Sequence, residues 1–292
     1  FWSDTAVDSK FEDKMNFKNG EHFSLGGVQV MTVNLPRLAY RSKGDYKEFI
    51  SLSKEMIDRC SELFKIKRQL MLNLRTLNKM PFHQQRPKDP NSDEFGPEFI
   101  DLDNQVYIFG IIGLNEVLEI LTGDQIHESD TSLKLGMKIV LELKKYCLVK
   151  SKELGFKVVV ARTPAETTGQ RFAVADLRDP RYKSDAMKVA KGNIDYALTH
   201  PLEKDLPVYY TNGTMVPPSA QVSLQEKIRI EEKFFPILDG GNIAHLWLDE
   251  VSPDPKGLMD LTMKICSTTN LGYFSFTRDM TICRGTYKKY LP

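Results

Sequence analysis

The sequence predicts an α/β fold, and three observations carry that prediction. Short apolar, β-branched runs recur along the chain, at VMTVN from Val30, VVVAR from Val158, VYY from Val208 and NIAHLWL from Asn242. Longer stretches between the early runs repeat apolar residues every three or four positions, the period of a helix with one buried face. The two patterns alternate, which is the order of α/β architectures. Each strand-like run also ends in polar groups: Arg37 closes VMTVNLPR, Glu166 closes VVVARTPAE, Thr214 closes VYYTNGT and Glu250 closes NIAHLWLDE. Apolar strands that deliver polar side chains at their ends are the raw material of a sheet-end site.

Residues 1–22 are charged and glycine-containing, an irregular approach to the first strand. Val28–Leu35 has the composition of a buried strand, and Pro36 helps to end it. From Lys47 to Met80, Phe49, Ile50, Met56, Ile57, Cys60, Leu63, Phe64 and Leu70 fall at spacings of three and four, predicting a long amphipathic helix with Cys60 on its apolar side. Pro81–Pro97 is rich in proline and polar residues and reads as a long loop. A short apolar segment, a glycine bend and a helix from about Leu114 follow, then a second helical pattern at Thr131–Val149 and the strand FKVVVART. After Glu166 the chain turns polar and charged, with a short helix near Ala186–Ala190, and YYTNGTMVPP reads as strand and turn. SLQEKIRIEEKFFPIL is helical, with Ser223 and Glu226 at capping-box spacing. DGGNIAHLWLDE turns tightly into a strand, GLMDLTMKICSTTN is a short helix, and LGYFSFT alternates as a strand. No fixed-period repeat points to a solenoid or propeller.

At 292 residues and 41% hydrophobic, the chain can bury one large core or two modest ones. Lys plus Arg total 40 against 39 Asp plus Glu, so the net charge of +1 supplies no long-range field for nucleic acid or an anionic membrane. No run approaches the roughly 18 apolar residues of a membrane span, and the first residues lack a secretory pattern, so a cytoplasmic protein is expected. Cys60, Cys147, Cys266 and Cys283 form no CxxC pair and are too sparse for a disulfide framework. A chain that begins at Phe1 rather than Met reads as part of something longer.

Several clusters carry chemistry. In ARTPAETTGQRF, Thr163, Glu166 and Thr167 supply donors and acceptors for ribose hydroxyls or phosphates within one compact turn. A helix starting near Pro164 would add free N–H groups for an anion; alternatively, Thr163 simply caps that helix and Glu166 occupies its first turn. Asn34 is an amide inside an apolar strand, where it needs hydrogen bonds, either to brace a loop or to position a substrate. Arg37 suits a phosphate or a neighbouring carboxylate. Tyr209, Tyr210, Thr211, Asn212 and Thr214 flank Gly213, either as a bend exposing several polar groups or as an ordinary Asn-Gly turn. Gly240 and Gly241 form a tight turn without the spacing of a nucleotide loop. His245 shares a strand face with Trp247 and lacks partners at zinc spacing, so it reads as a packed histidine.

Taken in order, these segments resemble the anaerobic, glycyl-radical (class III) ribonucleoside-triphosphate reductases. VMTVNLPRLAY is similar to that family's VVTLNLPRIAY, FGIIGLNEVLEILTG to its glycine bend followed by LNE, ARTPAETTGQRF to its TPAE segment, and YYTNGTMVP to its YYTNS segment, while DGGNIAHLWL and NLGYFSFT correspond to later strands. The resemblance implies roughly the C-terminal half of a ten-stranded glycyl-radical-enzyme α/β barrel. It divides the chain into residues 1–27, an irregular approach following a finger-loop region; residues 28–277, a partial catalytic barrel; and residues 278–292, the start of a truncated or divergent metal and glycyl-radical region. The implied activity is reduction of ribonucleoside triphosphates to 2'-deoxyribonucleotides by glycyl and thiyl radical chemistry. Structural zinc, a radical-generating activating enzyme that uses S-adenosylmethionine and an iron-sulfur cluster, formate or a thiol as reductant, and a homodimer are implied with it, and no nucleic acid or membrane. By the same resemblance Asn34 positions the ribose, and Arg37, Thr163, Glu166, Asn212 and Thr214 bind substrate or support the site.

The sequence departs from that family pattern at both radical positions. The thiyl cysteine is expected in a GCRSFL-like segment before the NLPR strand, and residues 1–27 contain no cysteine, while Cys60 follows that strand. Cys283 matches at most the first ligand of the family's zinc module, and ICRGTYKKYLP offers no second cysteine. Gly285 follows Arg284 directly, a poor match to the RVxGY-like radical loop. The expectation is a catalytic-domain fragment, inactive alone if the radical residues are absent. The alternatives are a noncatalytic nucleotide-binding or assembly homologue and another glycyl-radical enzyme.

Overall fold

The computed structural model describes residues 26–86, 88, 94, 95, 98, 100–103, 105–163, 165–200, 203, 206–248, 254–277, 281, 282, 289 and 290. Strands β1 (Gly27–Asn34), β2 (Val106–Ile112) and β3 (Lys157–Arg162) form a parallel sheet in that order. Parallel neighbours need long crossovers, and helices supply them. Helices α1 (Leu35–Arg41) and α2 (Tyr46–Thr76) lie between β1 and β2, and α3 (Leu114–Thr122) and α4 (Asp130–Leu154) between β2 and β3. All seven residues of the central strand β2 are buried, which explains its uninterrupted apolar sequence VYIFGII.

The sheet has two unlike faces. Val33, Tyr107, Phe109, Ile111, Val158 and Val160 join Phe49, Ile57 and Phe64 of α2 and Ile139 and Leu143 of α4 in the main core. The alternate positions Val30, Ile108, Val159 and Ala161 form a separate small cluster. Toward the strand ends this second face becomes polar: Thr32 donates to Thr163 across Gly110 at 3.3 Å. Only a glycine fits between them, since a Cβ at Gly110 would overlap the Thr163 hydroxyl and press on that of Thr32.

Local chemistry sets the element ends. Asp45 and Ser129 cap α2 and α4 by accepting from Glu48 and Ser132 N–H, and Gly155 ends α4 at φ +73°. Asn34 caps α1, with Pro36 in its first turn, so Pro36 begins a helix as well as ending a strand. The polar stretch after Glu166 is helix α5 (Glu166–Arg178). Thr163 does not cap it: Ala165 holds that position with no side-chain bond, because the Thr163 hydroxyl is engaged by Thr32. Within the predicted loop 81–97, Pro81–Gln84 is a 3-10 turn and Lys88 bridges Phe95.

Beyond α5, the chain makes a small excursion through α6 (Lys183–Val189), β4 (Lys191–Gly192), α7 (Ile194–Thr199) and β5 (Val208–Tyr209), with β4 and β5 antiparallel. Ala173 and Leu177 of α5 pack there with Ala186, Leu206, Val208 and Tyr210. A second parallel unit follows: α8 (Leu224–Glu231), β6 (Ala244–Trp247), α9 (Pro255–Thr268) and β7 (Phe274–Thr277). Ser223 caps α8 by accepting from Glu226 N–H at 3.2 Å, as its spacing predicts. Ala244 and Leu246 pack with Ile228 and Ile265 of the helices, leaving His245 and Trp247 on the other face.

Gly240 and Gly241 join the two units. Gly240 N–H donates to Val160 O at 2.8 Å, and Arg162 N–H donates to Gly241 O at 3.1 Å, so the approach to β6 runs alongside β3. A Cβ at Gly240 would sit 2.8 Å from the Val159 side chain and 2.9 Å from Val160 O, so close approach is what demands this glycine. The last described elements are β8 (Thr281–Ile282) and β9 (Lys289–Tyr290), an antiparallel pair. Cys283 and Gly285 lie outside the described residues. No helix among the described residues is long and apolar enough to cross a membrane.

Gly110→Ala should destabilise the protein by about 1–3 kcal/mol, the cost of overpacking a filled site. Thermal or denaturant unfolding measures this, and an alanine variant as stable as the parent would show that the Thr32–Thr163 contact does not close over β2 as described.

Candidate active site

Past the ends of β6 and β7 lies a cavity of about 590 Å³, within the size range of small-molecule sites. Thr167 and Gln170 of α5, Tyr209 of β5 with Tyr210 and Asn212 just after it, and His245, Trp247 and Thr277 of β6 and β7 line it. Leu206, Pro207, Met215 and Pro218 make much of the remainder apolar. Gln170 Nε2 donates to Leu206 O at 2.7 Å, tying α5 to the opposite wall. His245 Nδ1 lies 3.5 Å from Thr277 Oγ1, consistent with a packed histidine.

The segment from Tyr210 to Val216 is irregular yet buried, so its backbone groups need partners other than a strand ladder. Thr211 O accepts from Gly113 N–H at 2.9 Å. Thr211 N–H donates to Glu116 Oε1 at 3.0 Å, and its hydroxyl donates to the same oxygen at 2.5 Å. Val216 N–H donates to Glu231 Oε1 at 3.1 Å. Gly213, at φ +52°, packs so tightly on Arg162 that a Cβ would overlap its side chain. The Asn-Gly turn exists for this contact as well as for its backbone angle.

Two glutamates therefore hold one loop, in different electrostatic settings. Glu116 is completely buried, and burial pushes its carboxyl above the usual glutamate value against the opposing pull of the Thr211 bonds and Lys191. Glu231 sits between two buried cations, with Arg162 Nη1 3.5 Å from Oε2 and Lys227 paired to Oε1. Burial lowers the Lys227 pKa, while attraction to Glu231 opposes the shift.

A third carboxylate organises the end of β1. Asp176 of α5 has no exposed surface. Oδ2 accepts from Asn34 Nδ2 at 2.8 Å and from the Tyr210 hydroxyl at 2.9 Å, and Oδ1 accepts from Arg37 Nε at 2.6 Å. Tyr210 gives its one proton to Asp176, so the Tyr40 hydroxyl, 3.0 Å away, donates to Tyr210. Asn34 Oδ1 meanwhile accepts from Arg37 N–H at 3.1 Å. Of the two partners the sequence leaves open for Arg37, the one present is a carboxylate.

The predicted residues thus separate. Asn212 lines the cavity; Asn34 and Arg37 meet at Asp176; Thr163 and Thr214 are buried, the former against Thr32. Glu166 opens α5, and its side chain lies outside the described residues. Cys60 is buried, and burial raises its thiol to about 11, as expected of a packing cysteine. Sequence reasoning missed Asp176, Glu116 and Glu231. The available signal was an acid inside each apolar helical phrase, one in FAVADL, one in GLNEVL and an adjacent pair in IRIEEKFF. Among the described residues, no group of three or more His, Cys, Asp or Glu side chains is placed to hold a metal ion.

Parallel strands with helical crossovers, joined through close glycine contacts and carrying a small-molecule cavity at their ends, define an α/β protein of enzyme-like construction. The chain belongs to the anaerobic ribonucleoside-triphosphate reductase family, whose sequence profile matches residues 5–290. It is similar to the anaerobic ribonucleoside-triphosphate reductases of Escherichia coli (strain K12) and Salmonella typhimurium, each 24% identical over 249 residues, covering 84% of this chain and 32% of the relative. The chain therefore spans about a third of the length of these relatives. Among solved structures, an anaerobic ribonucleotide reductase superposes with a TM-score of 0.66 at 17% identity, covering 90% of this chain and 36% of the other. The Thermotoga maritima enzyme in complex with dATP and CTP superposes with a TM-score of 0.64 at 18% identity, covering 90% and 38%. These superpositions establish the shared α/β fold.

The raised Glu116 pKa has a definite sign. Above the ordinary glutamate range the unfolded chain has released this proton while the folded chain retains it, so stability falls as pH rises through that window. Glu116→Gln, neutral throughout and still able to accept from Thr211, should flatten this dependence, with its stability relative to the parent improving from about pH 4 upward. Parallel unfolding profiles across pH for the two proteins would contradict a proton-retaining Glu116.

Proposed function

We propose that this chain forms part of the catalytic chamber of an anaerobic ribonucleotide reductase, which converts ribonucleoside triphosphates to 2'-deoxyribonucleotides by glycyl and thiyl radical chemistry. The observation that carries this reading is that, in a chain of this family, helix α5, the segment after β5 and the strands β6 and β7 line one cavity through Thr167, Asn212, His245 and Thr277. Asn212 lies on its wall, and Asn34 is held behind it through Asp176 and Tyr210. The three-stranded parallel sheet β1–β3 and the two-stranded parallel sheet β6–β7 support the reading of the chain as about half of a ten-stranded barrel. A related enzyme has been solved in complex with dATP and CTP, which favours nucleotides as ligands.

In this reading Asn34 positions the ribose, and Arg37, Thr163, Glu166, Asn212 and Thr214 bind substrate or brace the groups that do. In the full-length enzyme a glycyl radical and a thiyl radical, with formate or a thiol as reductant, would supply the redox chemistry, while the residues of this chain would hold and orient the nucleotide. A structural zinc, a homodimer and an activating enzyme using S-adenosylmethionine and an iron-sulfur cluster complete the proposed cytoplasmic system. Cys283 and Gly285 are the positions nearest in order to the zinc and radical motifs and match those motifs poorly.

The test is anaerobic activation of the full-length protein carrying this chain, followed by radical spectroscopy and assay of deoxyribonucleotide formation. Asn34→Ala should cost about 1 kcal/mol of stability through the lost helix cap and about a hundredfold in turnover through lost positioning. Unchanged turnover in a folded Asn34→Ala variant would reject its role. Nucleotide binding without turnover by the activated parent would favour a noncatalytic homologue.

A further inference from the structure

We infer that Asp176 is a positioning residue of the ribonucleotide site, acting through the Asn34 amide. The inference deepens the reading of Asn34 given above and rests on it. Asp176 has no exposed surface, so it cannot touch a ligand in the cavity itself. What it contacts is the end of the NLPR strand, 142 residues away in sequence, by the 2.8 Å bond from Asn34 Nδ2.

A primary amide can rotate and exchange its oxygen and nitrogen with little change of shape. Here the two ends of the Asn34 amide are pinned by partners of opposite kind. Oδ1 accepts from Arg37 N–H, and Nδ2 donates to an Asp176 oxygen that also accepts from Tyr210. A flipped amide would set Nδ2 against an N–H donor and Oδ1 against a carboxylate, losing both bonds. Each end of the pinned amide keeps one further hydrogen-bonding capacity, a proton on Nδ2 and a lone pair on Oδ1, with fixed directions. That is the property a residue needs to discriminate the hydroxyls of a ribose.

The same carboxylate links this amide to the cavity. Asp176 stands on α5, whose first turns contribute Thr167 and Gln170 to the wall. It also accepts from Tyr210, which lines the cavity beside Asn212. Arg37 Nε and a second guanidinium nitrogen bind Oδ1, keeping the acid paired despite its burial. Three segments far apart in sequence are therefore referred to one pair of oxygens.

A merely structural Asp176 would change stability alone, so the experiment reads ligand energetics. In the full-length protein, affinity for CTP by calorimetry, and kcat and KM after anaerobic activation, are measured for the parent, Asp176→Asn, Asn34→Ala and the double variant. Asp176→Asn retains shape but replaces an acceptor with a donor. It should weaken CTP binding or lower kcat by about tenfold or more, and the double variant should be no worse than Asn34→Ala alone, the signature of residues acting as one unit. Additive effects, or unchanged kcat and affinity in folded Asp176→Asn, would overturn the inference while leaving the site reading intact. Failure of the parent itself to bind ribonucleotides would sink the site reading and this inference together. If Asp176→Asn does not fold, Asp176→Glu, which keeps the charge and displaces the acceptor by one methylene, enters the same cycle with the same expectations.

Discussion

A carboxylate removed from water must be met by donors, and the Asp176 carboxylate meets that demand by drawing three separate parts of the chain together. Its partners are the Asn34 amide, the Arg37 guanidinium and the Tyr210 hydroxyl. Losing one partner would leave a desolvated charge undercompensated, a far larger penalty than loss of a surface ion pair. The end of β1, the helix α5 and the loop after β5 are consequently not free to shift independently. The cavity that two of these segments line inherits its geometry from that constraint.

The same physical device recurs in different electrostatic settings. Glu116 receives the backbone and hydroxyl of Thr211, and burial favours its neutral form. Glu231 receives Val216 N–H while lying between Arg162 and Lys227. These acids satisfy backbone donors that no strand reaches, which is why a buried segment after β5 can be ordered without sheet pairing. Gly213 and Gly240 add close backbone approach at β3, where a side chain would meet Arg162 in one case and Val159 in the other.

Much of this was legible in the sequence. The apolar runs mark β1, β3 and β6, the apolar period marks α2 and α4, and Ser223 with Glu226 marks the start of α8, because each depends on neighbours within one turn or one strand. The helix α5 was harder to read. Its buried side includes Ala173, Val174 and Leu177 but also Asp176, and a charged residue at an inward position breaks the pattern by which amphipathic helices are recognised. Thr163 looked like a cap since local sequence favours one, but a partner 131 residues away engages its hydroxyl. Asn34 and Arg37 stood out as polar groups at a strand end. Their shared partner could not, because nothing local connects NLPR to FAVADL.

The arrangement separates contact from control. Cavity-facing residues such as Asn212 and Gln170 belong to an apolar-walled space, whereas the acids that fix their supporting segments, Asp176, Glu116 and Glu231, are buried away from it. Placing the acids behind the wall keeps them from competing with a ligand for hydrogen bonds. It also makes them effective as positioners, since a hydrogen bond or ion pair shielded from solvent is electrostatically stronger than one screened by it. Reactions sensitive to small displacements gain most from such support. Residues that never meet the substrate therefore have as much claim on the chemistry of this chain as those exposed to it, and the buried acid within each apolar phrase is the sequence feature by which they are found.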